Sequence, residues 1–118
     1  KKQGCKPTTV PDATVVDCTR LPNPHTLIRK GKLAETYPVL LLWMKRGKFP
    51  ESSGVMRKAK EVVKLIRKGG NVRVECLGGK HRSQVVAKTA LELLTPGERR
   101  EVQPVYRDAD PLPARPVP

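Results

Sequence analysis

A chain of 118 residues has room for one small domain, and with 24 Lys and Arg against 11 Asp and Glu, a net charge of +13, it attracts polyanions whatever its fold. Apolar residues at 37% and aromatics at 3% leave a core of Val, Leu, Ile and Ala and argue against a base-stacking sheet of the kind many RNA-binding modules use. The most apolar run, residues 39–44, falls far short of the roughly 18 residues of a bilayer span, and three cysteines with two histidines make neither a disulfide framework nor a structural zinc site; a cytoplasmic protein with no membrane contact, metal or cofactor is expected.

Residues 1–11 (KKQGCKPTTVP) read as a basic flexible arm, and residues 111–118 (PLPARPVP), half proline, as an extended flexible tail. The domain between them spans 12–110. Residues 13–18 (ATVVDC) form a short β-rich run, ended by the proline-punctuated stretch 21–25. His25 reads there as a surface loop histidine, and Cys18 as a buried, unpaired thiol. Residues 36–46 follow, with Pro38 suited to a helix's first turn and Gly47 to its end. The nearly continuous apolar run makes this a buried helix, with a strand as the alternative. Trp43, Tyr37 and Phe49 belong to the core in this reading.

After Ser52-Ser53, apolar residues recur at Val55, Met56, Ala59, Val62, Val63 and Ile66, the spacing of one helical face. The other face carries Arg57, Lys58, Lys60, Lys64, Arg67 and Lys68, a candidate nucleic-acid surface. Gly69-Gly70 ends the helix. Residues 71–76 read as a strand, with Val72, Val74 and Cys76 alternating against Arg73 and Glu75. After the turn 77–80 (LGGK), residues 82–94 form a second amphipathic helix that packs through Val86, Ala90, Leu93 and Leu94. Residues 102–106 are a last short strand, with Pro104 marking an edge or a bulge. This order predicts an α/β fold: a small, mostly parallel sheet flanked by helices in a single domain, joined by right-handed crossovers.

In an open α/β sheet, ligands collect beyond the carboxyl ends of the strands. Cys76 ends a strand, and the helix starting near His81 follows at once, its first N–H groups unpaired and its dipole positive. Gly78 and Gly79 let the backbone curl so that successive N–H groups converge on one anion. Lys80, His81 and Arg82 add side-chain donors, Arg82 with the fork that holds a phosphate through two parallel hydrogen bonds. Ser83 caps the helix or donates another. A tight basic turn explains the glycines, but not the gathering of Lys, His, Arg and Ser where an anion would sit.

The spacing Cys76, five residues, Arg82, Ser83 also matches cysteine-dependent phosphatases, where a thiolate attacks phosphorus and the arginine clamps the oxygens. Asp17 or Asp108 would then be the general acid. Glu75 stands before Cys76 where that signature has His, and a carboxylate there favours binding over catalysis.

The segments CLGGKHRSQVVA and, upstream, DCTRLPNPH together resemble the C-terminal domain of the RapZ family of RNase adaptor proteins. That family carries C-T-G-G-x-H-R-S and D-V-R-x-L-P-N-P stretches, and Tyr106-Arg107-Asp108 is similar to its closing H-R-D-like segment. The resemblance covers about residues 12–108. It implies an α/β domain that binds a phosphorylated amino sugar and small RNA and that oligomerises. By the same resemblance Gly78, Gly79, His81, Arg82 and Ser83 line the phosphate pocket, joined by Asn23 and Arg107. Leu77 replaces the family's Thr, and Thr19 stands where its Arg is expected.

The expected function is therefore non-enzymatic binding of a phosphorylated small molecule or other anion at Cys76, Gly78, Gly79, Lys80, His81, Arg82, Ser83, Asn23 and Arg107. RNA and a second copy of the chain are the expected partners. The alternatives are a cysteine phosphatase using Cys76, Arg82 and Asp108, and a general nucleic-acid-binding protein.

Overall fold

The alternation legible at residues 72–76 builds one side of a parallel pair. Strand β2 (Thr14–Asp17) runs beside β3 (Val72–Glu75), in register from Thr14 opposite Val72 to Asp17 opposite Glu75. Val16, Val72 and Val74 on one face are buried, whereas Val15 on the other is 41% exposed, beside Arg73, Asp17 and Glu75. Arg73 Nε lies 2.8 Å from Glu75 Oε2, so the two charges on that outer face pair along the strand. The computed structural model describes residues 2–3, 13–46, 54–76, 81–106 and 112, with the side chains of Lys2, Gln3, Arg46, Val105 and Tyr106 left aside.

Two further short strands, β1 (Lys2–Gln3) and β4 (Val105–Tyr106), complete a sheet of order β2-β3-β1-β4 in which every neighbouring pair is parallel. The α/β class with a parallel sheet is therefore as expected, but the sheet takes residues the sequence reading placed elsewhere. Lys2–Gln3 lies in the expected flexible arm, yet it pairs with Val74 on one side and with Val105 and Tyr106 on the other. Leu112, in the expected flexible tail, is buried, and its N–H donates to Gln84 Oε1 at 2.8 Å. The last strand begins at Val105 and not at 102, as expected from the sequence, since Pro104 has no N–H for a ladder.

The helices are α1 (His25–Arg29), α2 (Tyr37–Arg46), α3 (Gly54–Arg67), α4 (Arg82–Leu93) and α5 (Pro96–Arg100). The long apolar run does form a helix, but only one face of α2 is covered: Tyr37, Leu40 and Met44 are buried while Val39 and Leu42 face out. Burying Leu40 and Met44 contributes about 1.5–3 kcal/mol each. The periodic stripe of α3 sits as read, with Val55, Ala59, Val62 and Val63 buried. Gly69 stops this helix at φ +85°, a backbone shape that glycine adopts without strain, and its N–H returns to the Ile66 carbonyl at 2.9 Å. At the other end, Gly54 lets α3 lie against Leu21, whose Cδ2 would stand 3.0 Å from any Cβ placed there.

Helix α4 is the hub. It packs on α3, α2 and β3, and its residues from Arg82 to Ala87 are all buried. It is thus not the one-sided amphipathic helix expected, and Leu93, expected in the core, is 40% exposed, whereas Leu94 is 3%. The Tyr37 hydroxyl ties α2 to it, 3.0 Å from Thr89 Oγ1 and donating to Glu92 Oε1 at 3.2 Å. Neither α1 nor α5 was anticipated. α5 is held by a capping box, in which Thr95 Oγ1 accepts from the Glu98 N–H at 3.2 Å and Glu98 Oε1 accepts from the Thr95 N–H at 2.9 Å. Pro96 adds a pre-set first turn.

Candidate functional site

β2 and β3 end level with each other, and their ladder continues one step, the Cys18 N–H donating to the Glu75 carbonyl at 2.7 Å. This brings Cys18 beside Cys76, on the face that meets the helices. Cys18 is fully buried, and burial, with the neighbouring Cys76 adding to it, pushes its thiol up to about 12. Both thiols are free, as expected for Cys18.

The amino end of α4 meets these strand ends. His81 is its N-cap residue and makes no side-chain cap bond. Ser83, offered as a possible cap, lies inside the first turn. Its N–H donates to Cys76 Sγ at 3.3 Å, and the Cys76 thiol donates to Ser83 Oγ, also at 3.3 Å. A helix-terminal N–H that would otherwise lack a partner is thereby satisfied by the cysteine.

Arg82 is 5% exposed, and its guanidinium donates from Nη1 to the carbonyl oxygen of Thr19, in the turn after β2. The side chain expected as a phosphate clamp is thus anchored: one of its five N–H groups holds the turn. His81 Nε2 lies 2.8 Å from Glu35 Oε2, and the His25 ring centroid is 6.3 Å from that of His81. His25 is exposed, as a surface histidine should be, but it opens α1 and faces the site. Asn23 Oδ1 accepts from the His25 N–H at 3.1 Å, so the asparagine shapes the entry into α1.

Asp17, weighed as a general acid, accepts from the Thr19 N–H at 2.9 Å and from its hydroxyl at 2.7 Å. These bonds hold its carboxyl below the ordinary range, and Lys58 and Arg20 act in the same direction. A carboxylate held ionised is a poor proton donor, so this residue is unsuited to that role.

Cys76 and Ser83 therefore touch, and His81 and Arg82 stand beside them at the start of α4. They are joined by Cys18, Thr19, His25 and Glu35. Gly78, Gly79, Lys80, Arg107 and Asp108 lie outside the described residues. Glu35 was missed because it is 46 positions from His81, and no local pattern ties the two. The Thr19 carbonyl has no side-chain signature at all.

On α3 and the turn that ends it, Arg57, Lys60, Lys64 and Lys68 are exposed and make no ion pair among the described residues. Lys58 is turned toward Asp17 and Cys18 and pairs with Glu61 at 3.9 Å. Arg67 is engaged by Glu98, with Nε to Oε2 at 2.9 Å and Nη2 to Oε1 at 3.2 Å. A groove of about 510 Å³ runs along this face, lined by Lys60, Val63, Lys64, Arg67, Lys68 and Leu93. A cleft of about 630 Å³ opens at the opposite end of β3 from Cys76, between Gly69, Gly70, Asn71, Glu98 and Val102. Among the described residues no group of three or more His, Cys, Asp or Glu is placed to hold a metal ion, and no helix is long and apolar enough to cross a membrane.

No family model, curated protein or solved structure matches this chain.

Proposed function

We propose that the amino end of α4, with the loop that precedes it, binds a phosphate-bearing ligand without turning it over, and that the basic face of α3 contacts RNA. The observation that carries this reading is the placement of His81, Arg82 and Ser83 at a helix amino terminus beyond the ends of two parallel strands. Arg82 gives one N–H to the Thr19 carbonyl, and the rest of a guanidinium's N–H fork is the donor set suited to a phosphate. His81, beside Glu35, is a second polar group at the same place. The resemblance of the GGKHRS and LPNP segments to the RapZ C-terminal domain adds a hexosamine phosphate as the first ligand to try. Four exposed cations on α3 supply the field for a polyanion, with no need of aromatic stacking.

Calorimetric titration with inorganic phosphate and with a hexosamine phosphate tests the pocket. Binding is expected in the native protein and its loss in Arg82→Ala. An Arg82→Ala protein that stays folded and keeps its affinity would remove the assignment.

One observation favours a second reading, a cysteine phosphatase. The Ser83 N–H donates to the Cys76 sulfur at the amino end of α4, the position a nucleophilic cysteine occupies in that class of enzyme. Turnover of an aryl phosphate that disappears in Cys76→Ser would place this reading first. Binding comes ahead of it because Glu75, a carboxylate, stands before Cys76 where that signature has His.

A further inference from the structure

The ends of β2 and β3 set two cysteines side by side. Asp17 stands opposite Glu75, and the next ladder bond joins the Cys18 N–H to the Glu75 carbonyl, so Cys18 and Cys76 are the next facing positions. Neighbouring strands lie about 4.8 Å apart, within the Cα separation that a disulfide spans. Strand alternation puts both sulfurs on the face shared with Val16 and Val74. Both residues lie past the last paired positions, where the backbone adjusts more readily than in mid-strand. Cys76 is half-buried and reached from solvent, while Cys18 is sealed behind it. Nothing in the anion-binding reading uses Cys18.

We propose that Cys18 and Cys76 are a reversible redox pair: peroxide oxidises Cys76, and Cys18 resolves the product as an intramolecular disulfide. In the first step the Cys76 thiolate attacks one peroxide oxygen. An S–O bond forms, the O–O bond breaks, and the departing hydroxide takes up a proton to leave as water. In the second step the Cys18 sulfur attacks the sulfenic sulfur of Cys76. The S–S bond forms, the S–O bond breaks, and the hydroxide released combines with the Cys18 proton as a second water. Two thiols and one peroxide thus give one disulfide and two waters, and a dithiol reductant reverses the change.

The division of labour follows from position. The sulfur of Cys76 already accepts an N–H at the positive end of α4, which suits the attacking thiolate. Burial keeps Cys18 protonated and away from peroxide, so it enters only once an electrophilic sulfur stands beside it. Closing the disulfide draws the Cys76 sulfur away from Ser83 and releases that residue's N–H and hydroxyl. The pairing itself does not depend on what the site binds.

The test uses the full chain with Cys5→Ser, treated with hydrogen peroxide with and without dimedone, then alkylated and mapped by tryptic mass spectrometry. A Cys18–Cys76 cross-linked peptide that dithiothreitol removes is expected. In Cys18→Ser and Cys18→Ala, checked for folding by circular dichroism, the dimedone-reactive form of Cys76 should persist and proceed to the sulfinic acid. In Cys76→Ser, Cys18 should stay fully alkylatable after unfolding. The proposal fails if Cys76 over-oxidises at the same rate with and without Cys18. It fails equally if Cys18 remains a free thiol after peroxide treatment of the folded chain.

Discussion

The outer face of α3 and the amino end of α4 use the same cationic chemistry under opposite conditions. Along α3, Arg57, Lys60, Lys64 and Lys68 stand in water. Each such charge is screened within about 8–10 Å at physiological salt, so only their sum reaches a partner. At α4, Arg82 is enclosed and bonded to a backbone carbonyl from another part of the chain. Its effect depends on direction and on the protein around it. Charge count describes the first region well and says almost nothing of the second.

The hardest test of this contrast is Arg82→Ala. Losing a hydrogen bond from a charged donor, with the Thr19 carbonyl left without it, should cost about 2–3 kcal/mol of stability. Urea denaturation reads this directly, and a midpoint equal to that of the wild type would erase the distinction between the two regions. A milder test takes a neutral buried contact on the same helix. Tyr37→Phe removes the hydroxyl that meets Thr89 and Glu92 and should cost about 1 kcal/mol in the same assay.

Changes on α3 should do the reverse. Lys60→Gln with Lys64→Gln should leave stability within about 0.5 kcal/mol. Yet the slope of log affinity for a structured RNA against log salt should fall by about one for each lysine that meets a phosphate. An unchanged slope would overturn the proposal that this face contacts RNA. The smallest effect belongs to the Arg67–Glu98 pair, which joins α3 to α5 at the surface. Hydrogen bonds from Arg67, chiefly, and from the Thr95 N–H hold the Glu98 carboxyl down to about 2. Because the folded value lies below the unfolded one, the contribution is complete above the ordinary carboxylate range and is lost as pH falls toward about 2. Thermal melts between neutral and acidic pH should show a small drop that Glu98→Gln removes and high salt shrinks.

What could be read in advance was whatever is written locally. The stripe from Val55 to Ile66 announces α3, and Gly69 announces its end. The alternation at Val72 and Val74 announces β3, and the strand-to-helix change at Cys76 marks where the candidate site lies. Helix α5 was also written locally, in Thr95, Pro96 and Glu98, a capping signature that went unread. Other features have no local text. Lys2 and Gln3 carry no β preference and are a strand only because β3 and β4 flank them. The hold of Thr19 on Arg82, and of Glu35 on His81, spans 63 and 46 positions and exists only once the chain has folded. The burial of the first half of α4, Arg82 to Ala87, on all sides follows from its place between α2, α3 and the sheet, which its own pattern cannot reveal.

The two residues of β1 have a consequence in time. Gln3 faces Val74 on one side and Tyr106 on the other, closing loops of about 70 and 100 residues. The entropic cost of closure grows only slowly with such lengths, but the search for the partner is long. The α3–α4 pair, whose contacts are near in sequence, can assemble while that search continues. Strand β1 must wait for partners about 70 and 100 positions away before the sheet is joined, so refolding should end in a slow phase, in milliseconds or longer, well after the helices have formed.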